Sequence, residues 1–218
     1  MNNYKRLNVY SQNDFEEKMY RLNLFSYNVE EVQDDKVFIQ IIGTPDALEN
    51  YLLEDTKHYF ANCNADNVLN LAFDDVNKDK VNFYGVEFMG ITDTQAEQIV
   101  DFIERHKGKN FYISCRAGKS RSQAVARYIL DMYGEEYGYN ERKSCRKSNP
   151  CLTPNINVLT KLKRVYYKKF NMFMENEKLP FELKVALNNE AMFEYAKEHN
   201  NECMSSKHYD KWRSCDDF

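Results

Sequence analysis

Cys115 and Arg121 stand six residues apart in the run Ser114-Cys115-Arg116-Ala117-Gly118-Lys119-Ser120-Arg121-Ser122, and together they have the chemistry to attack and to hold an anion. A thiol is a strong nucleophile as its thiolate, and a guanidinium presents a planar fork that matches two oxygens of a phosphate. Upstream, Phe111-Tyr112-Ile113 is aromatic and β-branched, as a buried strand would be. Downstream, Gln123-Ala124-Val125-Ala126-Arg127-Tyr128-Ile129-Leu130 has helix-forming content and helical apolar spacing. The run is therefore predicted to open a helix. A helix N-terminus offers unpaired backbone N–H groups and the positive end of a dipole, so it stabilises an anion there and a thiolate at Cys115. Gly118 lets the backbone bend around that anion.

Cys115 to Arg121 fits the pattern C-x5-R, and the fuller C-x-x-G-x-S-R-S resembles the dual-specificity branch of the cysteine-based protein tyrosine phosphatases. The resemblance implies that Cys115 attacks phosphorus, that Arg121 binds the phosphate and the transition state, and that Ser122 assists expulsion of the thiolate. Backbone N–H groups of Arg116, Ala117, Gly118, Lys119, Ser120 and Arg121 would complete the cradle. No metal or other cofactor is expected. Where the family usually has a histidine before the cysteine, this chain has Ser114, whose hydroxyl cannot fix the cysteine backbone in the same way.

The same resemblance implies an aspartate general acid on a loop that follows an upstream strand. Asp74 and Asp75 occupy that place after Phe73, and Asp75 is preferred because it lies farther into the loop. They precede Cys115 by 40 to 41 residues, longer than is usual in the branch, so residues 76–91 are expected to be an insertion or an enlarged lid. Asp93 is nearer in sequence but stands at a helix start, where an aspartate is ordinarily a cap. Pro154-Asn155 before an apolar helix resembles the late Pro-Asn helix of these enzymes, in which Asn155 would brace the active loop. The alternative for Asn155 is a solvent-facing residue of a first turn.

Arg116 and Lys119 resemble the two-lysine loop of phosphoinositide phosphatases, which suits a multiply charged substrate. The alternative is that both side chains point into solvent, as surface cations usually do. The basic stretch Lys161, Lys163, Arg164, Lys168 and Lys169 is read first as a solvated helix face. Gly118-Lys119-Ser120 imitates the end of a nucleotide-binding P-loop, but that pattern requires glycine where this chain has Ile113. A sulfurtransferase would also place a loop cysteine before a helix, and Arg121-Ser122 favours phosphate instead. The four histidines, His58, His106, His199 and His208, are scattered without metal-binding spacing.

The elements that must position this loop are legible in part. Val37-Phe38-Ile39-Gln40-Ile41-Ile42 reads as a buried strand ended by Gly43-Thr44-Pro45, and a helix is expected between Pro45 and Tyr59. Residues 67–73 read as a second strand. Thr94-Gln95-Ala96-Glu97 is expected to form a capping box, with Ile99, Phe102, Ile103 and His106 on one face of a helix that stops near Gly108. Residues 134–149 read as a surface loop, and Thr153-Pro154 as the cap and first position of a helix carrying Val158, Leu159, Leu162 and Tyr166. Strands alternating with helices predict an α/β domain with a mostly parallel central sheet flanked by helices, over residues 1–170, followed by a helical C-terminal extension over 171–218.

Composition bounds the partners. The 218 residues carry a formal net charge of -4, which gives no general nucleic-acid signal, and no stable nucleic-acid partner is expected. No apolar stretch approaches the roughly 20 residues of a membrane span. Six cysteines without a secretory apolar segment near the start suggest a reducing, cytoplasmic setting, which suits a reactive thiol. Cys145 and Cys151 read as loop thiols, and Cys63 as a candidate resolving partner for an oxidised Cys115. Cys215-Asp216-Asp217-Phe218 lacks the aliphatic pair of a prenylation box. The substrate expected from the resemblance is a phosphorylated protein or peptide, with a polyanionic lipid or an RNA 5′ end as the alternative. A catalytically weak phosphate-binding module is the rival from another class.

Overall fold

The computed structural model describes residues 5–32, 35–45, 57–134, 137–140 and 154–169. The expected extension 171–218 and most of the helix expected between Pro45 and Tyr59 lie outside these residues, as do Cys145, Cys151, Cys203 and Cys215.

A five-stranded, all-parallel sheet in the order β3-β2-β6-β1-β7 forms the centre. Its strands are β1 (Lys5–Ser11), β2 (Lys36–Ile42), β3 (Val68–Ala72), β6 (Asn110–Cys115) and β7 (Tyr137–Asn140). In β2 the side chains alternate between two apolar layers, so the strand reads as an unbroken hydrophobic run. Val37, Ile39 and Ile41 join Leu7, Val9, Phe111, Ile113 and Cys115 in one layer, which is covered by helices α3 (Asp93–Arg105), α4 (Arg121–Tyr133) and α5 (Ile156–Lys169). Phe38 belongs to the other layer, with Phe15 and Met19 of α1 (Gln12–Arg21), Val29 of α2 (Val29–Val32), and Phe60. Each fully buried large apolar side chain in these layers contributes about 1.5–3 kcal/mol relative to exposure.

The parallel sheet flanked by helices agrees with the expectation, while several local elements differ. β1 and α1 lie outside the expected elements, although Leu7 and Val9 alternate with polar residues and Ser11 caps α1 by accepting from the backbone N–H of Asp14. The capping box of α3 is Thr92 with Gln95 rather than one begun by Thr94, because the helix starts at Asp93 and the box spans the cap and the third helical position. Within the expected loop 134–149, residues 137–140 form edge strand β7, paired with β1 and seated by buried Tyr137, whose hydroxyl oxygen accepts from Gly108 N at 2.8 Å. Glycine and asparagine hide that strand in the sequence, since its pairing partner is more than a hundred residues away.

Residues 76–91 contain a separate antiparallel hairpin, β4 (Lys80–Phe83) and β5 (Val86–Met89), turning through Tyr84 and Gly85 at φ 50° and 83°. Its tip exposes Phe83 and Tyr84. Its base is tied down: Gly90 N donates to Asp79 O at 2.9 Å, and Lys161 of α5 bridges to Asp79 at 2.7 Å and donates to Ile91 O at 2.9 Å. The segment expected to be an insertion or an enlarged lid is thus a hairpin anchored at its base.

Candidate active site

Cys115 is the last residue of β6 and Arg121 the first of α4, so the loop between them lies at the carboxyl end of the sheet. Cys115 is 3% exposed, and its Sγ lies 3.0 Å from the Oγ of buried Ser122. Its neighbour Ser114 is buried in the strand, in register with Tyr10 of β1 and Gln40 of β2, so alternation sends it to the opposite face from Cys115.

Gly118 makes the tight curl possible. Its φ is +68°, and a Cβ there would stand 2.5 Å from Ser11 N and 2.6 Å from the carbonyl carbon of Tyr10. The loop is thus seated on the β1–α1 junction, where Gln12 N also donates to Arg116 O at 3.2 Å. This support comes from the strand and helix missed in the sequence, and the alternation of residues 6–10 with the Ser11-x-x-Asp14 cap was its available signal.

Arg121 is 6% exposed, and its Nη1 donates to Ile42 O at 2.9 Å and to Phe73 O at 2.6 Å. Two strand ends therefore hold one arm of the guanidinium. Its Nε is buried and has no hydrogen-bond partner among the described residues. A buried donor without an acceptor costs about 1–3 kcal/mol, which an anion at the loop would recover.

The two candidate acids separate clearly. Asp74 is buried: Oδ1 accepts from Thr44 N at 2.9 Å, and Oδ2 accepts from Thr44 Oγ1 at 2.6 Å and from Met89 N at 2.8 Å. That carboxylate is engaged as a brace between the end of β2 and the hairpin. Asp75 is exposed and reaches the loop, with Oδ1 accepting from Ser120 Oγ at 2.7 Å and from Asn155 Nδ2 at 2.8 Å.

Asn155 is 3% exposed and links three elements. Its Oδ1 accepts from Val158 N at 3.0 Å, its Nδ2 also donates to Val76 O at 3.2 Å, and its backbone N donates to Ser120 O at 3.3 Å. It occupies the N-cap place of α5 that the sequence assigned to Thr153, which lies outside the described residues. The solvent-facing alternative for Asn155 does not hold, because its side chain is buried in these bonds.

Arg116, Ala117 and Lys119 are exposed on the loop, and among the described residues neither cation forms an ion pair. The basic stretch of α5 behaves differently. Lys161 pairs with Asp79, Lys163 with Asp131 at 2.7 Å, Arg164 with Asp93 at 2.7 Å, and Lys169 with Asp101. Asp93 is thereby occupied: burial pushes its carboxyl up, but Arg164 and Lys161 outweigh burial and hold it below the ordinary carboxylate range. Cys63 packs in the layer with Phe15 and Phe60, across the sheet from Cys115, so the two thiols are not brought together. His58 and His106 are spent on the backbone carbonyls of Leu71 and Asp66, each at 2.9 Å. Among the described residues, no helix is long and apolar enough to cross a membrane, and no group of three or more His, Cys, Asp or Glu is placed to hold a metal.

No protein-family model matches the chain, and no curated protein matches it in sequence. Solved structures do resemble it. The human tyrosine phosphatase-like serine/threonine/tyrosine-interacting protein is 18% identical, with a TM-score of 0.35 over 63% of this chain and 80% of its own. PTPMT1 is 16% identical, with a TM-score of 0.38 over 78% of this chain and 92% of its own. A structure of PTPMT1 in complex with PI(5)P is 13% identical, with a TM-score of 0.34 over 75% and 94%.

Proposed function

We propose that this chain is a cysteine-dependent phosphomonoesterase of the protein tyrosine phosphatase kind, hydrolysing phosphotyrosine, and phosphoserine or phosphothreonine as well, through a phosphocysteine intermediate. The observation that carries the reading is Arg121, fixed through Nη1 by two strand-end carbonyls and left with a buried Nε that has no partner among the described residues, at the end of the loop that holds Cys115. The hydrogen bond between Cys115 and Ser122 supports it further.

In the first step Cys115 Sγ, as thiolate, forms a bond to phosphorus while the bond to the leaving oxygen breaks. The leaving oxygen takes a proton from Asp75. Loop N–H groups and Arg121 bind the phosphoryl oxygens, whose charge they match in the transition state. In the second step water attacks phosphorus, the Asp75 carboxylate takes its proton, and the S–P bond breaks to return the thiolate, toward which the Ser122 hydroxyl donates.

The test is hydrolysis of p-nitrophenyl phosphate without added metal, with Cys115→Ser as control. A folded wild-type protein that stays inert, while still binding inorganic phosphate, would instead favour the weak phosphate-binding module.

A second reading keeps this chemistry and changes the substrate to a polyanion, such as a phosphoinositide or an RNA 5′-phosphate. It is supported by Arg116 and Lys119, both exposed on the loop and without an ion-pair partner among the described residues. Comparing turnover of a phosphotyrosine peptide, a phosphoinositide and an RNA 5′-triphosphate decides between the two.

A further inference from the structure

Resting on the phosphomonoesterase reading, we propose that Ser120 is a positioning residue for the general acid Asp75, directing the carboxyl proton toward the leaving oxygen of the ester bound in the loop.

Ser120 stands at the N-cap of α4, where a serine ordinarily turns its oxygen to accept from a first-turn N–H. Here it makes no such bond. Its hydroxyl donates instead to Asp75 Oδ1, 45 residues away in sequence, at 2.7 Å. The consequence is double: the first-turn N–H groups of α4 keep no side-chain cap to compete with an anion, and the acid is tied to the loop that holds the phosphate.

The bond also selects an oxygen. Asn155 Nδ2 donates to the same Oδ1, so two donors converge on one atom of the carboxyl group. A protonated carboxyl carries its hydrogen on one oxygen and accepts through the other, so this arrangement puts the proton on Oδ2. When the ester bond breaks, its electron pair stays on the leaving oxygen, which takes the Oδ2 proton. Asp75 becomes a carboxylate whose new charge meets two donors already in place.

The flanking chain is held as well. Asp74 is fixed by Thr44 and Met89, and the Val76 carbonyl by Asn155. What remains to be set at Asp75 is the rotation of its carboxyl group, and Ser120 is the contact from the phosphate loop that sets it. A displacement of about 1 Å at such a group is enough to cost roughly 10²-fold in rate.

The experiment compares kcat/KM for p-nitrophenyl phosphate, whose leaving group needs little protonation, with phenyl phosphate, whose leaving group needs much. In Asp75→Asn the ratio of the first to the second rises and sets a reference. Ser120→Ala is expected to raise the ratio about tenfold, Ser120→Thr to return it to within about twofold of wild type, and Ser120→Ala with Asp75→Asn to match Asp75→Asn alone. A ratio unchanged in Ser120→Ala overturns the proposal, and so does a double variant in which the two effects multiply. Thermal unfolding checks the fold, and Ser120→Gly is read in the same way if the alanine variant does not fold. A folded wild type inert on both esters overturns the phosphomonoesterase reading itself, whereas an active wild type with an unmoved ratio overturns the role of Ser120 alone.

Discussion

Cys115 Sγ and Ser122 Oγ lie 3.0 Å apart, both buried, where the central strand gives way to the helix behind the loop. A hydroxyl at this distance can donate to a thiolate, and a hydrogen bond to a charged group is worth about 1.5–3 kcal/mol. Ser122→Ala is therefore expected to slow breakdown of the phosphocysteine by roughly 10 to 100-fold, since each 1.36 kcal/mol is tenfold. Stopped-flow assay with p-nitrophenyl phosphate should then show a burst followed by slow turnover. Equal loss of burst and steady rate would remove Ser122 from the second step.

Arg121 is held by two carbonyls through one nitrogen, a geometry that a lysine ammonium cannot reproduce while also presenting a fork to phosphate. Arg121→Lys should weaken competitive inhibition by inorganic phosphate by on the order of 10²-fold, with kcat falling as well. Inhibition constants close to wild type would show that the phosphate does not meet this guanidinium.

The neighbouring aspartates should respond in opposite ways. Asp75→Asn leaves the fold intact and lowers turnover by about 10² to 10⁴-fold if the carboxyl is the acid. Asp74→Ala breaks three part-buried hydrogen bonds and is expected to lower the melting temperature, by several degrees for a loss of about 2–3 kcal/mol. Calorimetry and steady-state kinetics on the same two proteins settle which residue does which.

Gly118→Ala tests the seating of the loop. The added methyl would meet backbone at 2.5 Å, at a φ of +68° that alanine rarely adopts. A loss of about 1–3 kcal/mol is expected, with phosphatase activity falling by more than stability alone explains. Unchanged activity would mean that the β1–α1 junction yields without disturbing the cradle.

His106 predicts the direction of the pH dependence. Burial holds its imidazole below the usual histidine range, against the opposing pull of the Asp66 carbonyl and carboxylate, while Lys109 and Arg105 act with burial. Its Nε2–H donates to Asp66 O, and its buried Nδ1 has no partner among the described residues, so a proton added there finds no acceptor among them. His58 is lowered by burial in the same sense. The unfolded chain therefore binds more protons, and stability is full above the unfolded pKa near 6.5 and is lost as pH falls below it toward the folded values. Urea midpoints should drop between about pH 7 and about pH 5, and His106→Gln should flatten part of that slope. A midpoint that rises on acidification would overturn the assignment.

The parallel sheet, the strand–loop–helix unit around Cys115 and the presence of an apolar helix after Pro154-Asn155 are readable from the sequence, although that helix starts at Ile156 with Asn155 in the cap place expected for Thr153. These are legible because they are local: Phe111 to Ile113 and residues 123–130 carry their own periodicities, and glycine at 118 states its own backbone need. The sequence leaves β7 and the hairpin unread, since Tyr137–Asn140 is polar and glycine-bearing and becomes a strand through pairing with a partner at the far end of the chain. Asp75 is preferred in the sequence only for lying farther into the loop, and the different surroundings of the two adjacent aspartates come from the tertiary structure. The chain bends at Asp75, where Val76 N donates to Asp74 O at 3.0 Å, so Thr44 and Met89 donate to one carboxylate while Ser120 and Asn155 donate to the other. The carbonyls of Ile42 and Phe73 that hold Arg121 leave no trace in composition, because every residue carries a carbonyl and the sheet order alone brings these two to the loop.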